Sequence, residues 1–201
     1  MLGSAAVAMW WDIAPEMRAE WEDWHTREHM PERLAIPGFL RGTRWIALSG
    51  APSYFVLYEA ADLGTLTRGP YLERLNNPTP WSRKMMPHHR NMVRSLCRVH
   101  EKSGRGVAQA LATLRLEQPI AAETLGRVAK TKGVTSAHLL QSQSLAGLPQ
   151  TTEQKIRGGA DREANWIALL GGYDAEAVAA ASQAALPSAA PQLYRLSFCL
   201  P

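Results

Sequence analysis

One order of secondary-structure elements occurs twice along the sequence, and this repeat constrains the fold more than any other feature. In the first half, apolar residues alternate in four stretches and recur at helical spacing in two others. The resulting order is strand, helix, strand, strand, helix, strand, which is the split βαβ arrangement of ferredoxin-like units. The predicted strands span residues 5–13, 39–48, 54–61 and 90–100, and the predicted helices span 15–30 and 63–75.

Prolines and glycines mark the predicted ends of these elements. Pro31 and the Pro37-Gly38 pair are expected to end the first helix, because proline removes a helical hydrogen bond and glycine permits a tight turn. The Asn and Pro residues of 76–80 predict a loop after the second helix.

The same order begins again after residue 103. Residues 144–163 are polar, contain glycine and are longer than a usual hairpin connection, so they are interpreted as a mobile excursion. The sequence is therefore divided into a ferredoxin-like half at 1–103, which carries the candidate site, and a second, degenerate ferredoxin-like half at 104–201. In the second half, the predicted strands span 106–116, 134–143, 165–170 and 192–200, and the predicted helices span 121–130 and 175–186.

Each predicted sheet has helices on one face only, so its other face requires cover. The simplest partner is the open face of the other half. The predicted fold is therefore α+β, with two tandem ferredoxin-like βαββαβ halves packed sheet to sheet as one barrel. Two independent domains joined near Ser103-Gly104 are the alternative, but that linker is short and has no Pro/Ser-rich spacer.

Composition narrows the class of partner. The net charge of +4 comes from 22 Lys and Arg against 18 Asp and Glu, spread along the chain, which does not predict nucleic-acid binding. No apolar run is long enough to span a bilayer, and the apolar start lacks the basic flank and cleavage site of a secretion signal. A cytoplasmic protein is expected.

Cys97 and Cys199 lie in equivalent predicted strands and are expected to be reduced and structural.

A motif at the end of the first helix resembles a known superfamily. It runs from Trp24 to Leu34 as WHTREHMPERL, and Ile36 to Phe39 follow as IPGF. An aromatic residue, an acidic residue and a histidine near the helix end, followed by Pro-Gly-Phe at the second strand, resemble the dimeric α/β-barrel superfamily, and most closely its EthD-like and stress-responsive barrel branches. The resemblance covers roughly residues 5–100, and the second half resembles the superfamily in element order alone.

This resemblance implies a pocket and several activities. Members include cofactor-free monooxygenases, small-ring isomerases, haem-handling enzymes and proteins without an assigned activity. Ligands there commonly lie in a cleft between the sheet and the helices of one half. His29 matches the histidine of the motif, so the resemblance makes it the first candidate for the cleft.

Two histidines of the first helix are candidate site residues. His29 is the predicted catalytic acid/base, because a neutral imidazole can both accept and donate a proton, although a structural hydrogen bond at the helix end is the alternative. His25 precedes it by four residues, so both share one helical face and His25 is a predicted substrate contact. Two histidines at this spacing can also hold a metal, for which Glu28, His88 or His89 would have to supply a third ligand, but no metal is predicted.

The remaining candidate substrate contacts come from strands and a loop. Arg41 and Trp45 on the second strand and Tyr58 on the third suggest a polar face, which either lines a cleft or forms the interface between the halves. Trp81, with the Asn-Pro loop before it, is interpreted as a lid. His88 begins the fourth strand beside His89, and since strand neighbours face opposite sides, at most one of the two reaches a given pocket.

The leading functional hypothesis is an enzyme without a cofactor. The sequence has no nucleophile elbow, no phosphate-binding glycine loop and no CxxC pair, which disfavours most hydrolase and nucleotide-dependent classes. We expect oxygenation or isomerisation of a small hydrophobic or aromatic compound by a monomer or homodimer. The alternatives are a non-catalytic ligand-binding or stress-associated protein and, more weakly, a haem-binding protein.

Overall fold

The computed structural model describes residues 1–143, 149–159 and 161–201, and its strands form one closed barrel. The eight strands are all antiparallel to their neighbours, and each half contributes four of them. They are β1 (Ala5–Ile13), β2 (Phe39–Ala47), β3 (Tyr54–Ala60), β4 (His89–Gly104), β5 (Ala110–Leu116), β6 (Val134–Ser142), β7 (Trp166–Gly172) and β8 (Gln192–Leu200).

The strand order confirms two ferredoxin-like halves. Around the barrel the order is β1-β3-β2-β8-β5-β7-β6-β4, so the first half forms the sheet β4-β1-β3-β2 and the second half forms the equivalent sheet β8-β5-β7-β6. The halves meet along two seams, where β2 pairs with β8 and β4 pairs with β6. The open faces therefore cover one another, and the alternative of two separate domains is wrong.

Alternation along each strand divides the apolar residues between the barrel interior and the helices. On β1, Ala6, Ala8 and Trp10 belong to the interior cluster, whereas Val7 and Trp11 face the helices of the first half. A separate cluster lies between the second sheet and its own helices. The core thus has three parts, one inside the barrel and one under the helices of each half.

Seven α-helices are present in the described part of the chain. They are α1 (Arg18–Trp24), α2 (Met30–Leu34), α3 (Gly69–Asn76), α4 (Pro80–Met85), α5 (Ala122–Val128), α6 (Thr152–Ile156) and α7 (Ala175–Ala185). A π-helical turn over His25–His29 joins α1 to α2. None of the described helices is long and apolar enough to cross a membrane.

The first helix continues past Pro31, contrary to the sequence prediction. The N–H of Met30 bonds to the carbonyl of His25, five residues back. Pro31 has no N–H to return to the carbonyl of Arg27, and a widened turn also relieves the clash of its ring with that carbonyl. Helical structure then ends at Leu34, before Pro37, and Gly38 makes the turn into β2 with a φ of 96°.

Other departures from the predicted elements lie at loops and ends. The sequence prediction missed the six-residue helix α4, whose N-cap Thr79 accepts a hydrogen bond from the backbone N–H of Ser82. The predicted excursion 144–163 contains α6, although its residues 144–148 and 160 lie outside the described residues. Thr151 and Gln154 form a capping box at the start of α6, which explains why this short segment is helical.

Candidate functional site

A small cavity lies between the helix-facing side of the first sheet and the helices that cover it. We call it the histidine cavity, and its volume is about 30 Å³, which leaves room only for water. Its walls come from β1, β3, α1, the π turn, α2, α3, the start of β4 and α6, so both halves contribute. The resemblance implied this location, and three imidazoles and three arginines are among its lining residues. They are His25, His29, His89, Arg33, Arg94 and Arg157.

The π turn brings two of the histidines to this cavity. The ring centroids of His25 and His29 lie 5.6 Å apart. His25 stacks on Trp21 at 4.9 Å with an interplanar angle of 27°, and His29 contacts Trp24 at 4.4 Å. Each imidazole therefore packs on an indole ring. Trp24, His25 and His29, which are close in sequence, supply both an aromatic wall and polar groups of the cavity.

Each of these two imidazoles has a buried nitrogen without a partner among the described residues. The Nδ1 atoms of His25 and His29 are buried, and neither has a hydrogen-bond partner among the described residues. His25 Nε2 lies 3.4 Å from the hydroxyl of Tyr58. Because buried polar groups are normally paired, two orphaned nitrogens in one cavity indicate that it receives polar atoms of a ligand or of water.

Burial keeps both imidazoles neutral. Desolvation lowers the pKa of His25 well below its usual value, and the charge of Arg44 lowers it further. Desolvation also lowers the pKa of His29 well below its usual value, with Arg33 as the next cause. A neutral imidazole can accept a proton from a ligand, and the positive charges nearby favour a ligand that becomes an anion.

His89, and not His88, is the histidine of β4 that reaches the cavity. Its Nδ1 lies 3.0 Å from the carbonyl oxygen of Met86 and so donates to it, while its Nε2 accepts from the indole N–H of Trp21 at 3.1 Å. Burial lowers its pKa to about 3. With both nitrogens engaged, His89 positions Trp21, and His88 does not line the cavity.

A buried ion pair closes the cavity from the second half. Arg33 of α2 pairs with Glu153 of α6, and each side chain is less than 5% exposed. Arg157, just after α6, lies 3.8 Å from Glu153 and 2.9 Å from Asp161. The guanidinium of Arg94 donates to the hydroxyl of Tyr71 at 2.9 Å. Sequence reasoning assigned no role to these residues, although Arg33 lies inside the recognised motif.

The predicted polar face of β2 and β3 is divided between the two sides of the sheet. Tyr58 lies opposite Gly42 and faces the helices, so Arg41 and Trp45, at odd positions of β2, face the opposite way. Tyr58 lines the histidine cavity, whereas Arg41 and Trp45 line a second cavity of about 40 Å³ at one end of the barrel interior. The hypothesis of one shared face was wrong because the sequence did not give the register.

Arg41 and Trp45 already have partners in that second cavity. Arg41 forms an ion pair with Glu59 at 2.6 Å, and the indole N–H of Trp45 donates to the hydroxyl of Thr43 at 2.9 Å. Trp81 lies outside both cavities, where its indole N–H donates to Glu20 of α1 at 3.2 Å. It packs on the outer helices and does not cover the histidine cavity.

Neither a metal nor a haem fits the donor set of the histidine cavity. No cluster of three or more His, Cys, Asp or Glu side chains with metal-site geometry occurs within residues 1–143, 149–159 and 161–201. An axial haem ligand needs an imidazole nitrogen that faces open space, but the unpartnered nitrogens of His25 and His29 are enclosed in a cavity far smaller than a porphyrin.

The chain has the fold of a dimeric α/β barrel, with both ferredoxin-like halves in one chain and a histidine cavity on the helix side of the first half.

Solved structures share this fold over nearly the whole chain. An anthrone oxidase-like protein superposes with a TM-score of 0.62 at 10% identity, covering 98% of this chain and 92% of that one. A candidate monooxygenase from Fusobacterium nucleatum subsp. nucleatum has a TM-score of 0.59 at 7% identity, covering 99% and 95%. A candidate chlorite dismutase has a TM-score of 0.57 at 10% identity, covering 96% and 94%. No family model and no curated protein matches the sequence. At identities this low, the structural similarity establishes the fold alone. The function must therefore be argued from the site.

Proposed function

We propose that this protein is a cofactor-free enzyme of the α/β-barrel monooxygenase type. It binds a small hydrophobic or aromatic compound at the histidine cavity, where the ligand displaces α6 because the cavity with α6 in place holds only water. His29 takes up and returns a proton during oxygenation. Isomerisation of such a compound would use the same proton transfer. The names of the neighbouring structures, an anthrone oxidase-like protein and a candidate monooxygenase, support the reaction class.

One observation carries the proposal. A neutral imidazole with an unpartnered nitrogen faces a cavity that has aromatic walls and positive charge nearby. A neutral imidazole accepts a proton from an activated C–H or O–H group, and the guanidinium of Arg33 stabilises the anion that forms. Trp11, Trp24 and Tyr58 supply flat apolar walls that suit an aromatic ring.

The proposed oxygenation balances with O2 as the only co-substrate. His29 takes a proton from a CH2 group that is acidified by neighbouring aromatic rings or a carbonyl. The carbanion passes electrons to O2 and forms a C–O bond, and the returned proton gives a hydroperoxide. Loss of water from the hydroperoxide leaves a C=O group, so CH2 and O2 become C=O and H2O. The substrate carbon is oxidised, O2 is reduced, and the protein supplies proton transfer and orientation.

The second candidate is a non-catalytic ligand-binding protein. The packing of His25 on Trp21 and of His29 on Trp24 favours it, because such contacts also suit imidazoles with a purely structural role. In that case His25 and His29 serve packing on Trp21 and Trp24, and their removal changes stability without changing any turnover.

Oxygen uptake distinguishes the two candidates. Anthrone serves as the probe substrate, and an oxygen electrode records consumption above the protein-free background. We expect the wild-type protein to consume one O2 per anthrone, and His29→Gln to lower the rate by roughly 10²- to 10⁴-fold, as expected when a general base is lost. His88→Gln is the matched control, because His88 is a neighbouring histidine outside the cavity.

A thermal melt accompanies each variant. Wild-type uptake with His29→Gln unchanged in rate would remove His29 from the reaction. No uptake by the wild-type protein above background would favour the binding protein.

Three further predictions belong to this proposal. Residues 1–103 carry the site, and residues 104–201 act as a built-in partner half that supplies α6. The protein acts in the cytoplasm as a monomer or homodimer. Its ligand is hydrophobic or aromatic, and His25 and Tyr58 contact it beside His29.

A further inference from the structure

The cavity holds more cationic and donor groups than its own carboxylates satisfy. Arg33, Arg94 and Arg157 line it, and among the described residues Glu153 and Asp161 are the carboxylates at ion-pair distance from them. The imidazoles that line it add no charge, because burial lowers their pKa values. The cavity therefore carries net positive charge with Glu153 in place, and more without it.

Buried polar atoms without partners occur on both arginines that pair with Glu153 and on two imidazoles of the cavity. The Nη1 atom of Arg33 and the Nε atom of Arg157 are buried without a hydrogen-bond partner in the described part of the chain, like the Nδ1 atoms of His25 and His29. A buried cation left with unsatisfied donors is costly, so this arrangement suits an anion with more acceptor atoms than one glutamate brings.

Glu153 reaches this place from a short helix of the other half. It lies on the five-residue helix α6, which is 120 residues away from Arg33 in sequence. Outside the ion pair, the hydrogen bonds of α6 to the first half come from Thr152, whose N–H and hydroxyl lie 3.0 and 3.4 Å from Asn76 Oδ1. Ile156 adds apolar contact with the core of the first half.

We infer that the histidine cavity is a carboxylate-binding site, and that Glu153 occupies the position that the carboxylate of an aromatic acid takes when it binds. Arg33 and Arg157 hold the ligand carboxylate, and the ring lies among Trp11, Trp24 and Tyr58. This inference rests on the proposed function, because it names the substrate class of the same site. The small cavity volume follows from it, since the internal carboxylate and its helix fill the space of the ligand.

Intramolecular competition gives the inference a measurable consequence. A tethered carboxylate acts at an effective concentration in the millimolar range, and a ligand must displace it before it binds. Glu153→Gln removes the competing charge while keeping the size of the side chain. We expect it to bind 2-naphthoate at least about tenfold more tightly than the wild-type protein does.

The neutral amide 2-naphthamide is the matched ligand control. It has the same ring system but no negative charge, so Glu153→Gln should change its affinity little. The paired variant Arg33→Met with Glu153→Met removes one of the two arginines that hold the ligand carboxylate, and we expect it to bind naphthoate less tightly than Glu153→Gln does, because Arg157 alone then faces the carboxylate. Isothermal titration calorimetry on the full-length protein measures all of these affinities. If Glu153→Gln does not fold, Glu153→Asp replaces it, because the shortened carboxylate competes less well and gives a gain in the same direction.

Three results would overturn the inference. These are no gain in naphthoate affinity, an equal gain for naphthamide, or a paired Met variant that binds naphthoate as tightly as Glu153→Gln does. The proposed function fails separately, because its test is His29-dependent oxygen uptake with the uncharged substrate anthrone. Carboxylate selectivity without oxygen uptake would retain this site and remove the enzyme.

Discussion

Replacing Trp10 by alanine tests whether the two halves share one core. Trp10 lies on β1 inside the barrel and is fully buried. Its ring lies 4.8 Å from Phe55, and its indole N–H donates to the hydroxyl of Thr113 on β5 of the other half at 3.1 Å. Truncating a buried tryptophan costs about 3 to 5 kcal/mol of the free energy of unfolding, and here the loss of the Thr113 hydrogen bond adds to the cavity.

This cost converts into a large thermal shift. For a chain of this length each kcal/mol moves the melting temperature by about 2 to 4 °C, so we expect a decrease of about 6 to 20 °C. Differential scanning calorimetry should show a single transition in both proteins, since one barrel unfolds as a unit. Trp81→Ala is the matched control, because that indole lies among the outer helices, and it should cost less. A loss below about 1 kcal/mol, or two separate transitions in the wild-type protein, would refute the shared core.

The remaining predictions concern acid stability and the seam between the halves. Because burial lowers the pKa of His89 to about 3, the unfolded chain binds a proton near its ordinary pKa of 6.5 that the folded chain does not. The free energy of unfolding should therefore fall as the pH falls below about 6.5, by up to about 1.4 kcal/mol per pH unit for each such histidine. Urea titrations from pH 7 to pH 5 measure this slope, and His89→Gln should have a shallower one; equal slopes would contradict the assignment. Gly104 ends β4 with a φ of 80°, and a Cβ there would lie 2.0 Å from the carbonyl oxygen of Thr135. We expect Gly104→Ala to cost about 1 to 3 kcal/mol or more. Gly106→Ala isolates the backbone effect, because its φ is 89° but no atom lies within 4 Å of the added carbon; equal losses in urea titrations would refute the close contact.

The sequence predicted the fold well because apolar residues alternate in the strands and recur at helical spacing in the helices. β1 spans 5–13 and β8 spans 192–200, as predicted, and the other strands differ from prediction mainly at their ends. Alternation also implied that each sheet needed cover, and that requirement led to the barrel. The short helices α4 and α6 escaped prediction because their caps, Thr79 and Thr151, lie in Pro- and Gly-rich surroundings that resemble loops.

The sequence predicted only the part of the candidate site that lies on one helical segment. His25 and His29 reach the same cavity because they are four residues apart on one helical segment, which sequence spacing alone can show. The roles of Arg33 and Glu153 depend on a contact across 120 residues, and no local pattern encodes that contact. Arg41, Trp45 and Tyr58 required the β2–β3 register, which places Tyr58 opposite Gly42. His88 ends a short 3₁₀ turn before β4, whereas His89 is the first residue of β4 and reaches the cavity, and the sequence prediction began the strand at His88.

Histidine-selective ¹H–¹⁵N NMR tests the central claim most directly, because it observes the protonation of His29 in the folded protein. The spectra would be recorded from pH 8 to pH 5, with and without 2-naphthoate. We expect His29 to remain neutral across this range, because burial lowers its pKa, and its Nδ1 resonance to shift when the ligand binds. An imidazole of His29 that titrates near pH 6.5, or a ligand that shifts only histidines outside the cavity, would contradict the account.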